Sequence, residues 1–187
     1  MYHHVVKNGL RLEEAMQLVS MSSAEMEKFQ SVFGFLFFEY DGIQVLHNGG
    51  GNAAIRRRYL REPCALMKYH SELASFFEKF PLSLRKAEEL FYHYTESRNF
   101  FRLKDFVSDI EVFSLTYTPH LKHTIVSLWQ LLQNQMVDPV FEYNRSLEGF
   151  VTSYRPTTKE LFGILGNFIF CSHRNADVAF FQRNDRP

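Results

Sequence analysis

Prolines and short amphipathic stretches set the length scale on which this chain can fold. Pro63, Pro81, Pro119, Pro139 and Pro156 all fall between segments with a helical apolar period. Proline locks φ and lacks an N–H, so it ends a helix rather than continuing it. Leu12, Ala15, Met16 and Val19 share one helical face, and Leu66, His70, Leu73 and Phe77 share another. Leu84, Ala87, Phe91 and Tyr94 follow, then Leu103, Phe106 and Ile110. Leu121, Ile125, Leu128 and Leu132 repeat the pattern, as do Leu147, Phe150, Val151 and Tyr154, and then Leu161, Leu165 and Phe168. Ser22 with Glu25, and Thr157 with Glu160, stand in capping-box register at two expected helix starts. Short breaks between amphipathic helices favour helices stacked on their sequence neighbours.

One stretch breaks the pattern. In "FGFLFFEYDGIQVLH" the Asp41-Gly42 pair favours the positive φ angles of a tight hairpin turn, which places strands near Phe35–Tyr40 and Ile43–His47. The expected fold is therefore mainly α. Residues 1–62 read as a winged-helix-like subdomain with one β-hairpin, and residues 63–170 as a helical, repeat-like array. Residues 171–187, polar and without a period, read as a disordered tail.

Composition narrows the function classes. The chain has 187 residues, with Lys+Arg and Asp+Glu equal at 21 each. A chain of that length buries roughly 70% of its unfolded surface and needs no metal or disulfide to hold a core. Charge balance removes the whole-chain electrostatic argument for a nucleic-acid or anionic-membrane partner. Cys64 and Cys171 lie far apart, which fits a reducing compartment better than a disulfide framework. The N-terminus, "MYHHVVKNGLRLEE", has no apolar signal core, and no long uncharged apolar run follows. These features point to the cytoplasm.

The stretch "VLHNGGGNAAIRRRYLR" is the main candidate for chemistry. A phosphate loop needs G-x-x-x-x-G-K-[ST], and Gly49, Gly50 and Gly51 are followed by no such Lys-Ser/Thr. They read as a link from strand to helix. A helix starting near Asn52 would still offer free N–H groups beside His47, a geometry that can hold an anion. Arg56, Arg57 and Arg58 are consecutive and fan around a helix, with Ile55 and Tyr59 expected on its buried face. A DNA-reading helix would fall at Ser23–Phe33, where the glutamates disfavour phosphate contact. His70 reads as a core histidine. Cys64 and His70 lack zinc-ligand spacing, and His93, His120, His123 and His173 form no recognisable set. Glu88-Glu89 reads as a pairing with the helix macrodipole. No nucleophile stands with a base, so no catalytic residue and no metal ligand is assigned.

Several of these segments, taken in order, resemble a known family. Leu46-His47, Arg56–Leu60, "HSELASFFEK" (His70–Lys79) and "LRKAEELFYHYTESRNFFRLKDFVSDIEVF" (Leu84–Phe113) look like the region after the ATPase core in NACHT-type STAND proteins that carry tetratricopeptide repeats. Nephrocystin-like proteins and the tetratricopeptide repeat protein 41 group are similar. The resemblance covers roughly Leu10 to Phe113, and Trp129 to Phe170 more loosely. Phe91 stands where the family motif has proline, and Asn48–Gly51 replace bulkier residues.

The resemblance implies a winged helix and helical linker. It implies a role for His47 as a contact to the β-phosphate of ADP in a full-length parent. The P-loop and Walker B segments are absent from this sequence, so the resemblance places the ATPase upstream of Met1. The chain is then expected to be a fragment, short isoform or truncated product that cannot hydrolyse ATP alone. On this reading it is a non-enzymatic helical regulatory and protein-interaction module. It needs no cofactor unless the ATPase core is present to bind ADP or ATP. Its expected partners are proteins, with self-association through uncovered apolar faces, and neither membrane nor nucleic acid. The alternatives are an ADP-sensing part of a STAND switch and winged-helix DNA binding. Trp129 and Phe91 are the residues whose replacement by polar groups is expected to weaken partner contact.

Overall fold

The computed structural model describes residues 2, 5–46, 57–154, 157, 159 and 163. His47, the three glycines, Arg56, Leu161, Leu165, Phe168 and the tail 171–187 lie outside the described residues. The elements run β1 (Leu10–Arg11), α1 (Leu12–Val19), α2 (Ser23–Phe33), β2 (Phe37–Tyr40), β3 (Ile43–Leu46), α3 (Pro63–Phe77), α4 (Leu84–Glu96), α5 (Phe100–Val107), α6 (Ile110–Thr116), α7 (Lys122–Gln133) and α8 (Pro139–Tyr154). The fold is mainly α, with a small antiparallel sheet and a helical array. Two compact units divide the chain, Met1–Leu103 and Lys104–Pro187, and the sequence-based boundary at residue 62 falls inside the first.

In the first unit the local signals act as expected at α2 and the hairpin. The Ser22 hydroxyl accepts from the Glu25 N–H at 3.4 Å while the Glu25 carboxylate accepts from the Ser22 N–H at 2.9 Å, closing a capping box. The Ser22 N–H, and then the Ser22 hydroxyl, which also donates to the carboxylate at 2.7 Å, favour the ionised Glu25 carboxyl and hold its pKa below the usual carboxylate value. Asp41 and Gly42 both take positive φ, 52° and 70°, as a two-residue hairpin turn requires. They set the register Tyr40 opposite Ile43 and Phe37 opposite Leu46.

Two details differ from the sequence reading. Gly34–Leu36 forms a 3₁₀ turn, so β2 starts at Phe37 rather than Phe35. Leu10 and Arg11, just ahead of the Leu12–Val19 helical stripe, form a third strand beyond the expected hairpin, pairing antiparallel with β3 in the order β1-β3-β2. Gly9 makes that crossing possible. Its φ is +83°, and a Cβ there would stand 2.6 Å from the Gln44 carbonyl oxygen. Only glycine tolerates both the conformation and the approach.

Helices α3 and α4 form an antiparallel hairpin around Leu73, Phe77, Ala87, Leu90 and Phe91, all at most 2% exposed. Pro63 occupies the first turn of α3, where its missing N–H costs nothing. Ser83 caps α4, accepting from the Lys86 N–H at 3.2 Å. The Lys86 ammonium reaches back to the Glu78 and Phe80 carbonyls at 2.8 and 2.5 Å. It thereby satisfies acceptors that the end of α3 leaves open and places a cation at that helix's negative end. Arg57–Tyr59 are helical, but Tyr59 is 48% exposed rather than buried, with the Arg58 guanidinium 5.5 Å from its ring centroid. The basic side chain covers the ring where a core contact was expected.

In the second unit, Asp109 splits what reads as one apolar run into α5 and α6. Its carboxylate accepts from the Glu111 and Val112 N–H groups at 2.8 and 3.0 Å and caps a new helix. Ile110, Phe113, Leu121, Ile125, Leu128 and Leu132 are buried. Trp129 is buried too, and its indole N–H donates to the Tyr143 hydroxyl at 3.0 Å. That hydroxyl in turn donates to the Val107 carbonyl at 3.2 Å. Trp129 and Phe91 are therefore core residues, and polar replacement would disrupt folding before it tested any partner. The apolar face of α8 is the reverse case: Val151 and Tyr154, expected inside, are 40% and 60% exposed.

Candidate functional site

The polar groups that the sequence scatters are gathered on the α3–α4 hairpin. His70 on α3 and His93 on α4 are 2% and 0% exposed, and their Nδ1 atoms lie 2.9 Å apart. Glu89, one turn before His93 and completely buried, brings a carboxylate oxygen to 3.4 Å from His93 Nε2. That separation allows an ionic contact, but the alignment does not make a hydrogen bond, and Nε2 has no other partner among the described residues. The donors to Glu89 are backbone groups. Lys7 N–H donates to Oε2 and Asn8 N–H to Oε1, both at 3.2 Å.

A second polar contact lies beside the first. Arg85, one turn earlier on α4, donates to both Glu14 oxygens at 3.1 and 2.6 Å and to the Gly9 carbonyl at 3.0 Å. Its guanidinium also sits 5.8 Å from the Phe77 ring centroid, and Phe77 stacks on His93 with the planes 17° apart. One face of α4 thus reads the backbone of residues 7–9 by two acceptors and one donor. Val5 and Leu10, each 1% exposed, fill the apolar positions on either side.

The proton inventory of the pair follows from its geometry. Two Nδ1 atoms at 2.9 Å share one proton, since two N–H groups would collide and two lone pairs would repel. Both Glu89 oxygens accept from backbone N–H groups, and His93 Nε2 faces the same carboxyl group at 3.4 Å. Burial, and then the nearby His93, push the His70 pKa down to about 4. Unfolded His70 binds its proton near pH 6.5. The unfolded state therefore holds more protons between those values, and stability falls as pH drops from about 6.5 towards 4. Allowing for solvent screening, the loss is about 1–2 kcal/mol. Urea melts at pH 7 and pH 4.5 should show it, with most of this difference abolished in His70→Asn.

These findings correct two sequence readings. His93 belongs to a set, with His70 and Glu89. Glu89 is in the interior, more than one turn from the start of α4, and does not serve the macrodipole. His70 is the core histidine expected. His70 stands on the apolar stripe of its helix, but His93 lies off the stripe Leu84, Ala87, Phe91 and Tyr94, so spacing carried no signal for their meeting. The hold on residues 7–9 had none either, because its partners are backbone atoms. His47, the expected phosphate contact, lies outside the described residues. Among those described, no three His, Cys, Asp or Glu residues are placed to hold a metal ion, and no helix is long and apolar enough to cross a membrane.

No protein family matches the chain, and no solved structure does. A TPR repeat-containing protein of Dictyostelium discoideum is 30% identical over 99 residues, which is 52% of this chain and 6% of the relative's length.

Proposed function

We propose that this chain is a non-enzymatic helical module that regulates and scaffolds through protein–protein contact. The observation that carries it is the pairing of α3 and α4 into a hairpin of the kind that helical repeats stack, together with the similarity to a TPR repeat-containing protein. Pro63 to Glu96 spans 34 residues, the length of one such repeat. A repeat unit buries one face on its neighbours and offers the other to partners. Val140, Phe141 and Val151 on α8 are 67%, 63% and 40% exposed and supply an apolar surface of that kind.

The finer reading places the module in a NACHT-type STAND protein, as its hinge between ATPase and repeats. The order of the motifs from Leu46-His47 to Phe113 supports it. Nucleotide contact would then fall to His47 and would need the phosphate loop of the longer protein.

The test is affinity capture with the whole chain. A protein partner should be recovered in stoichiometric amounts and lost at least tenfold with Phe141→Asp/Val151→Asp, while the circular dichroism spectrum stays unchanged. Equal recovery by the variant, or ATP turnover by the purified chain that survives further fractionation, would refute the reading.

A further inference from the structure

The contact between Glu89 and residues 7 and 8 is built around a titratable pair, and this has consequences for the N-terminal segment. Val5–Gly9 lies across α4 with no helix or strand of its own. It is held by the Glu89 carboxylate on two N–H groups, by Arg85 on one carbonyl, and by the burial of Val5. Of these, only the carboxylate is completely buried. A buried carboxylate is costly unless positive charge compensates it. Arg85 is committed to Glu14 and Gly9. The group facing Glu89 at 3.4 Å is His93 Nε2.

We propose that His70, His93 and Glu89 form a one-proton latch, in which a proton taken up by the imidazole pair tightens the hold of Glu89 on the backbone of Lys7 and Asn8 and its loss loosens the segment Val5–Gly9. The wiring follows from the distances. In the neutral pair, His70 Nδ1–H donates to His93 Nδ1, and His93 Nε2–H points at Glu89. A proton arriving at His70 Nε2 is balanced by transfer of the Nδ1 hydrogen across the 2.9 Å gap. His70 is then again neutral, with its hydrogen on Nε2, and His93 has become imidazolium beside the carboxylate.

No second proton fits, because it would set two N–H groups against each other. Among the described residues, the rings beside the pair are Phe77, stacked on His93 from α3, and Tyr92 on α4, with its ring centroid 5.4 Å from that of His70 and 5.3 Å from that of His93. Neither supplies a competing charge. The latch works on the segment that closes against β3, since Gly9 lies under Gln44 and Leu10 pairs with it. Its state therefore bears on how the sheet is held to the α3–α4 hairpin within the first unit.

The test is nuclear magnetic resonance on the full chain from pH 7 down to pH 3.5, a window that brackets the lowered His70 value of about 4. Imidazole nitrogen shifts of His70 and His93 report protonation, and amide exchange at Lys7 and Asn8, normalised to intrinsic rates, reports the latch. The nitrogen shifts of both rings should change together over the pH range in which His70 takes up its proton. Protection at Lys7 and Asn8 should fall at least fivefold as pH rises through it, while Ile125 in the second unit stays constant. Glu89→Gln should lower protection at both amides at least tenfold and flatten its pH dependence. His70→Asn keeps a hydrogen-bonding amide beside His93 but does not titrate, and should flatten the pH dependence of protection at Lys7 and Asn8. Two rings that titrate independently, or protection at residues 7 and 8 that ignores both pH and Glu89→Gln, would overturn the proposal.

Discussion

Phe77→Ala is expected to destabilise the first unit by about 3–5 kcal/mol, a large share of the ~5–15 kcal/mol that holds a typical domain. The ring is 2% exposed and is the hub of an aromatic cluster. Phe76 meets it edge-on at 5.4 Å between centroids, Phe80 lies at 6.0 Å, and His93 stacks on it at 6.0 Å. Truncation removes the apolar burial, opens a cavity in the α3–α4 hairpin, and deprives His93 and Arg85 of the surface that orients them. Phe77→Leu refills most of the volume and should cost less than half as much. Met136→Ala, at a position 95% exposed, should change stability by no more than about 0.5 kcal/mol. Urea denaturation followed by far-UV circular dichroism separates the three. Equal midpoints for Phe77→Ala and Met136→Ala would mean that this cluster does not hold the unit together.

How much of this was legible in the sequence depended on the range of the interaction. Elements fixed by contacts a few residues apart were readable: the Ser22–Glu25 capping box, the Asp41-Gly42 turn, and the buried stripe Leu121, Ile125, Leu128, Leu132. Elements fixed by remote partners were not. Leu10 and Arg11 form a strand because β3 lies alongside, and two residues carry no period of their own. Asp109 was readable in principle as a cap, but the apolar spacing of Leu103, Phe106 and Ile110 outweighed it.

Faces were legible only as potential. Leu147, Phe150, Val151 and Tyr154 have the spacing of a buried stripe, yet whether such a stripe is covered depends on neighbours that spacing does not specify. The candidate site divides the same way. His70 announced itself as a core histidine by its apolar face. Its pairing with His93, 23 residues on, required the hairpin, and the grip of Glu89 and Arg85 on residues 7–9 required the chain's path.

Trp129→Ala should cost the second unit about 3–5 kcal/mol, and the effect divides into two measurable parts. The indole is 8% exposed and packs against Tyr143, with ring centroids 5.1 Å apart. Its N–H donates to the Tyr143 hydroxyl, which passes the chain of hydrogen bonds on to the Val107 carbonyl. Trp129→Phe keeps most of the burial and removes the donor, so it reports the smaller polar part together with the volume difference. Tyr143→Phe removes the hydroxyl that serves both the indole and the carbonyl while leaving the ring contact with Phe113, and should cost about 1–2 kcal/mol. If the relay is cooperative, the Trp129→Phe/Tyr143→Phe double variant should lose less than the sum of the singles, because the second substitution finds the bond between them already gone. Trp129 is the sole tryptophan of the chain, so the fluorescence of wild type and Tyr143→Phe follows unfolding at this site, with circular dichroism serving the variants that lack it. Strict additivity of the two singles would show that the indole and the phenol contribute only through packing.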